Sequence, residues 1–119
     1  MAEKPGEMQF KDNGLLPAVV QHFETGEVLM VGYMNPDTVR RTRETGTVWF
    51  WSRSRKELWH KGDTSGNLFY VKELYTDCDR DTVLVKVDPV GPACHTGERS
   101  CFSEQVPAVV GSRPDQAAG

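Results

Sequence analysis

Short runs of β-branched and aromatic residues, each broken by Gly, Pro, Asn, Asp or Ser, leave this chain room for little except a small β-rich domain. Residues 16–23 predict a first strand, Thr25-Gly26 a turn, and residues 28–33 its hairpin partner. Further strands are predicted at 47–51, at 68–76 and at 82–87, the last from apolar alternation that Pro89, Gly91 and Pro92 stop. One helix is punctuated at both ends. Asn35 suits the cap, Pro36 the first helical position, Asp37 the positive end of the dipole and Gly46 the stop, so a helix is expected over 36–45. Its Arg40, Arg41 and Arg43 read as a solvated face. The sum is a mainly β, α+β fold of about five strands and one short helix.

A chain of 119 residues is expected to form one domain. Residues 1–14 carry Pro5, Gly6, Asp12 and Asn13 and read as a flexible arm, 15–103 as the folded domain and 104–119 as a tail. A net charge of -3 argues against a polymeric nucleic-acid partner, although a local basic pocket for a phosphorylated small molecule stays compatible with it. No apolar run approaches the ~20 residues that span a bilayer, and the first residues lack the apolar centre of a secretion signal. The expectation is a soluble, cytoplasmic protein with no membrane partner. Cysteine there is more often a metal ligand or nucleophile than half of a disulfide.

The three cysteines are Cys78, Cys94 and Cys101, and none belongs to a CxxC pair. That spacing excludes the common zinc knuckle. Cys94 and Cys101 share one polar loop, which makes them poor packed-core residues. Three thiolates on a tetrahedral zinc leave one position open, the catalytic arrangement. The alternative is a Cys94–Cys101 disulfide with Cys78 packed.

Asp77-Cys78-Asp79-Arg80-Asp81 is the most unusual short segment. If it is extended, the three aspartates share one face and Cys78 points to the other. Carboxylates so grouped repel unless a cation sits between them, and hard oxygens suit magnesium where a thiolate suits zinc. A calcium-loop reading fails because Thr82 stands where glycine is needed. A solvated acidic edge remains the bland alternative. Opposed faces would separate the two metals and leave Cys78 free to complete a zinc site with a loop of another subunit.

Ser52, Arg53 and Arg55 lie close in sequence to Lys61-Gly62-Asp63-Thr64-Ser65-Gly66-Asn67. Guanidinium, ammonium, hydroxyl and glycine-exposed N–H groups are the donors that hold phosphates, though no Walker loop is present and an exposed basic turn is as common. Trp49, Trp51 and Trp59 flank this stretch and could stack a purine or simply pack. Among the histidines, His22 reads as a packed or surface residue and His60 as ambiguous. His95, beside Cys94, is the best candidate for general acid–base work.

Taken together, Phe50-Trp51-Ser52-Arg53-Ser54-Arg55, Leu58-Trp59-His60-Lys61 through Asn67, Asp77 through Asp81, and Gly91 through Phe102 resemble the phosphoribosyl-AMP cyclohydrolase family of histidine biosynthesis. The resemblance implies a folded sheet forming a pseudo-barrel in an intertwined homodimer. It implies one zinc per subunit on Cys78, Cys94 and Cys101, shared between subunits, and magnesium on Asp77, Asp79 and Asp81. Trp51, Ser52, Arg53, Arg55, Lys61, Thr64, Ser65 and Asn67 would contact substrate, and His95 would move protons. The implied reaction opens the N1–C6 bond of the adenine ring of 1-(5-phosphoribosyl)-AMP with a zinc-activated water. The product is the formimino-aminoimidazole carboxamide ribotide intermediate of the pathway. Asp63 stands where the family often has glutamate, and His22 where it often has aspartate.

Two other readings fit parts of the pattern. A zinc nucleobase deaminase also attacks purine C6, but it requires a P-C-x-x-C segment that this chain lacks. A zinc-stabilised interaction module would close the fourth position, most simply with His95.

Overall fold

The computed structural model describes residues 7–114. Helix formation follows its punctuation. The Asn35 side chain accepts from the Thr38 amide at 2.8 Å, while the Thr38 hydroxyl accepts from the Asn35 amide at 2.9 Å. Two otherwise unpaired amides are thereby satisfied. Helix α1 runs Pro36–Thr45 and ends at Gly46, whose φ of 74° is the left-handed closure glycine makes readily. Asp37 pairs with Arg40 and Arg41, and Thr38, Val39 and Thr42 turn inward.

The strands are β1 (Leu16–His22), β2 (Val28–Met34), β3 (Trp49–Ser52), β4 (Glu57–His60), β5 (Phe69–Thr76) and β6 (Val83–Pro89). Four of them form a mixed sheet in the order β2-β1-β6-β5, with β1 and β6 parallel. β3 and β4 make a separate antiparallel hairpin. β4 was not expected from the sequence: it has four residues, and only Leu58 and Trp59 give an apolar signal after the basic turn. The pairing of β1 with β6 puts both ends of the folded domain in one sheet, so most of the chain is needed before the sheet is complete.

Period-two alternation decides where the core lies. Leu16, Ala18 and Val20 of β1 and Val83, Val85 and Val87 of β6 are fully buried on one face. Phe50 of β3 packs there against β2. A Cβ at Gly32 would lie 2.5 Å from the Phe50 ring, so only glycine allows this approach. The opposite face carries a row across all four strands, Val31–Val19–Leu84–Tyr75, paired in register. None of these four is buried: Val31 and Tyr75 are 43% and 48% exposed.

The implied pseudo-barrel is not formed among the described residues. The β3–β4 hairpin meets β5 through the lone bridge Thr47–Tyr70. The outer edge of β2 is bonded by a loop instead of a strand, with the Cys101 amide donating to the Leu29 carbonyl at 2.7 Å. A closed barrel needs ladders all the way round.

The expected flexible arm lies partly outside the described residues. From residue 7 onward it is tied down: the Gln9 amide donates to the Arg80 carbonyl at 2.6 Å, and Met8 and Phe10 pack on the core. Of the expected tail, 104–114 is exposed and without strand pairing, and 115–119 lie outside the description. Among the described residues no helix is long and apolar enough to cross a membrane.

Candidate metal and substrate site

Two loops build the site. One, residues 61–67, connects β4 to β5; the other, residues 91–102, follows β6. They meet around a cavity of about 620 Å³ lined by Lys61, Thr64, Ser65 and Asn67 of the first loop, by Cys94, His95 and Cys101 of the second, and by Arg55 from the β3–β4 turn. Lys61 Nζ ties the loops together, donating to the Ala93 carbonyl at 2.6 Å across 32 positions of sequence.

The second loop is closed by its own backbone. The Ala93 amide donates to the Arg99 carbonyl, Cys94 to Glu98 and Gly97 back to Cys94, at 3.0–3.1 Å. Its far end is fixed on β2 by the Cys101 amide and by the Ser100 hydroxyl, which donates to the Val28 carbonyl at 2.7 Å. Arg99 adds a two-pronged pair with Glu27, at 2.6 and 3.1 Å.

All three cysteines are free thiols, so the disulfide alternative does not hold. Cys94 and Cys101 interact directly, and their acidities diverge. The Thr96 hydroxyl, donating to Cys94 Sγ at 3.1 Å, pulls the Cys94 thiol below its ordinary pKa. Burial, reinforced by Cys94, pushes Cys101 above it. Burial also lowers the Lys61 ammonium, against the opposing pull of the two thiols. Two adjacent thiols, one already biased toward thiolate beside a half-buried cation, are soft donors of the kind zinc takes.

Cys78 does not join them within one chain. It sits in the turn before β6, and the cysteine loop follows β6, whose seven residues span about 20 Å. The turn also corrects the expectation of an extended segment. Asp77–Thr82 closes the β5–β6 hairpin, with Arg80 at a φ of 58° and its amide donating to the Asp77 carbonyl. The carboxylates still converge: one oxygen from each of Asp77, Asp79 and Asp81 lies within 4.8 Å of the others. A tight turn therefore gathers them where alternation was expected to. Lys11 donates to Asp81 at 2.7 Å, which raises the lysine and lowers the aspartate from their ordinary values.

Trp51, Ser52 and Arg53 lie on or beside β3 and do not line the cavity. Arg53 instead stacks over the Tyr33 ring at 3.9 Å. Trp59 lines the cavity and leans on buried Phe50. Trp49 stacks on His60 at 4.1 Å, and His60 meets the Thr47 hydroxyl at 2.9 Å. The His22 ring accepts from the Glu24 and Thr25 amides and organises the β1–β2 turn. Sequence reasoning missed Thr96, although its place two residues after Cys94 was a signal. It also missed Glu27, which nothing in the sequence links to the loop.

Known proteins give this geometry a family. The sequence profile described as Phosphoribosyl-AMP cyclohydrolase matches residues 30–103. A protein of that name from Bifidobacterium adolescentis is 59% identical over 114 residues, covering 94% of this chain and 84% of its own length. One from Clostridium botulinum strain 657 is 63% identical over 92 residues, covering 77% and 84%. One from Clavibacter michiganensis is 58% identical over 106 residues, covering 88% and 80%. The matched region takes in both cavity loops, the aspartate turn and all three cysteines, and the chain belongs to the phosphoribosyl-AMP cyclohydrolase family.

Proposed function

We propose that this chain hydrolyses the N1–C6 bond of the adenine ring in 1-(5-phosphoribosyl)-AMP, as a cytoplasmic homodimer that uses zinc and magnesium. The observation that carries the reading is the meeting of the 61–67 and 91–102 loops, which brings phosphate-type donors and paired thiols to one cavity. Cys94 and Cys101 of one subunit and Cys78 of another would hold zinc. The location of Cys78 beyond the far end of β6 favours this shared set, and so does the uncovered row Val31–Val19–Leu84–Tyr75, the sort of apolar surface an interface buries. Bound there, zinc supplies water made acidic enough to act as a nucleophile near neutral pH. The hard oxygens of Asp77, Asp79 and Asp81 suit magnesium.

The chain's own residues then account for the rest. Ribosylation at N1 makes the ring cationic and C6 electrophilic. Arg55, Thr64, Ser65 and Asn67 offer donors to the phosphates and ribose, fixing C6 beside the thiols. Such positioning contributes at best on the order of 7–11 kcal/mol of the barrier reduction. His95, exposed on the cavity rim, takes a proton from the attacking water at an imidazole nitrogen. The water oxygen bonds to C6, the N1–C6 electrons move to N1, His95 returns the proton there, and the hydroxyl proton leaves to solvent as the carbonyl forms. The exocyclic nitrogen stays as the amide.

The test is spectrophotometric ring opening of phosphoribosyl-AMP by the purified chain, with and without a zinc chelator. Turnover that the chelator removes and zinc restores is expected. Turnover indifferent to chelation would sink the zinc reading, and no turnover in zinc-loaded protein would sink the activity.

A further inference from the structure

A lysine in a wall of hydroxyls and glycine-exposed amides invites a phosphate-binding role, but the surroundings of Lys61 give it another. Its Nζ is already committed to the Ala93 carbonyl at 2.6 Å. Ala93 is 3% exposed and immediately precedes Cys94. The ammonium also lies 5.4 Å from the centroid of the Trp59 ring and 5.2 Å from that of Phe69. These aromatic neighbours and the lysine's own half-burial leave less of the charge open to a ligand than an exposed lysine would. Lys61 shares the cavity wall with Cys94 and Cys101.

The cysteine loop needs an anchor at this end. Its far end is fixed by the Cys101 amide on β2, and its middle by bonds within the loop. Where it enters, the Ala93 carbonyl takes the Lys61 ammonium, on the residue just after β4. The backbone of Lys61 is held in turn, its amide donating to the Val48 carbonyl at 3.0 Å. One cation thus fixes the approach of Cys94.

We infer that Lys61 is a positioning residue of the metal centre, pinning the entrance of the 93–101 loop, and that it does not bind substrate phosphate. The inference rests on the zinc reading above and adds a residue that holds the ligands in place. Groups that orient metal ligands typically contribute about 10–100-fold to metal affinity.

The experiment compares wild type, Lys61→Met, Lys61→Arg and Lys61→Gln. Zinc affinity is read by competition with a chromophoric chelator, kcat and KM by ring opening of phosphoribosyl-AMP, and loop order by hydrogen exchange of the metal-free proteins. Methionine keeps the apolar stem; glutamine keeps an N–H donor without charge and supplies a second neutral variant should methionine not reach the native state. The expected result is a loss of about 10-fold or more in zinc affinity for the neutral variants. The amides of Ala93, Cys94 and Cys101 should exchange faster in Lys61→Met, kcat should fall with KM nearly unchanged, and Lys61→Arg should recover most of the affinity. Wild-type zinc affinity and loop protection in both neutral variants, with a raised KM, would make Lys61 a phosphate ligand and overturn the inference while leaving the zinc reading intact. A wild-type protein that binds no zinc would overturn both.

Discussion

The Asn67 amide rests against the Cα of Gly91: a methyl group at residue 91 would meet Asn67 Oδ1 at 2.4 Å. The contact presses together the two loops that line the cavity, and it involves the movable end of one side chain. Gly91→Ala should therefore displace the Asn67 amide at a stability cost of about 1–3 kcal/mol or less, the range for overpacking. Because Asn67 faces the cavity, KM should rise several-fold. Melting temperature and steady-state kinetics check the pair, and an unchanged KM would show that Asn67 does not contact substrate.

Asp77, Asp79 and Asp81 are gathered by the turn that also carries Cys78, and their hard oxygens suit magnesium where its sulfur suits zinc. Asp79→Asn should weaken the magnesium dependence of turnover by roughly tenfold, while zinc content measured by elemental analysis stays at the wild-type level. Loss of zinc in this variant would show that the two metal sets are not independent.

Glu27 gives the stability a small pH dependence. Its hydrogen bonds from Arg99 hold its carboxyl below the ordinary value of 4.5. A carboxyl lowered on folding adds stability above its unfolded pKa and loses that contribution as pH falls through the folded one. Glu27→Gln should thus melt below wild type at pH 7, and the gap should close as pH drops below about 4.5. The gap should be small, because Arg99 is 77% exposed and water screens the pair. A gap that persists unchanged in acid would assign the loss to packing instead.

How much of this was legible depended on how local the cause was. Helix α1 was legible to the residue because Asn35, Pro36 and Gly46 act within one turn of themselves. The alternation of Val83, Val85 and Val87 gave β6 its buried face for the same reason. The aspartate segment misled because every second residue is Asp, the period of a strand, whereas the positive φ at Arg80 that makes it a turn leaves no such mark. β4 was missed because two apolar residues cannot outweigh the basic turn before them. Barrel closure failed as an expectation because the edge of β2 is taken by Ser100 and Cys101, about seventy residues away. The Lys61–Asn67 stretch and the cysteine loop stood out in the sequence, and the structure brings them to one cavity. Which donors face the cavity was not legible, since Arg53 turns to Tyr33 and Arg55 does not.

The central claim, thiols of two subunits meeting at one catalytic centre, is tested most directly by complementation between inactive variants. Cys78→Ser and Cys94→Ser, each alone, should bind little zinc and show no turnover. Refolded together at equal concentration, half of the dimers are mixed, and each mixed dimer regains one of its two sites. Ring opening and zinc content should then return to about one quarter of wild type. A mixture as inactive as its components would contradict a centre shared between subunits.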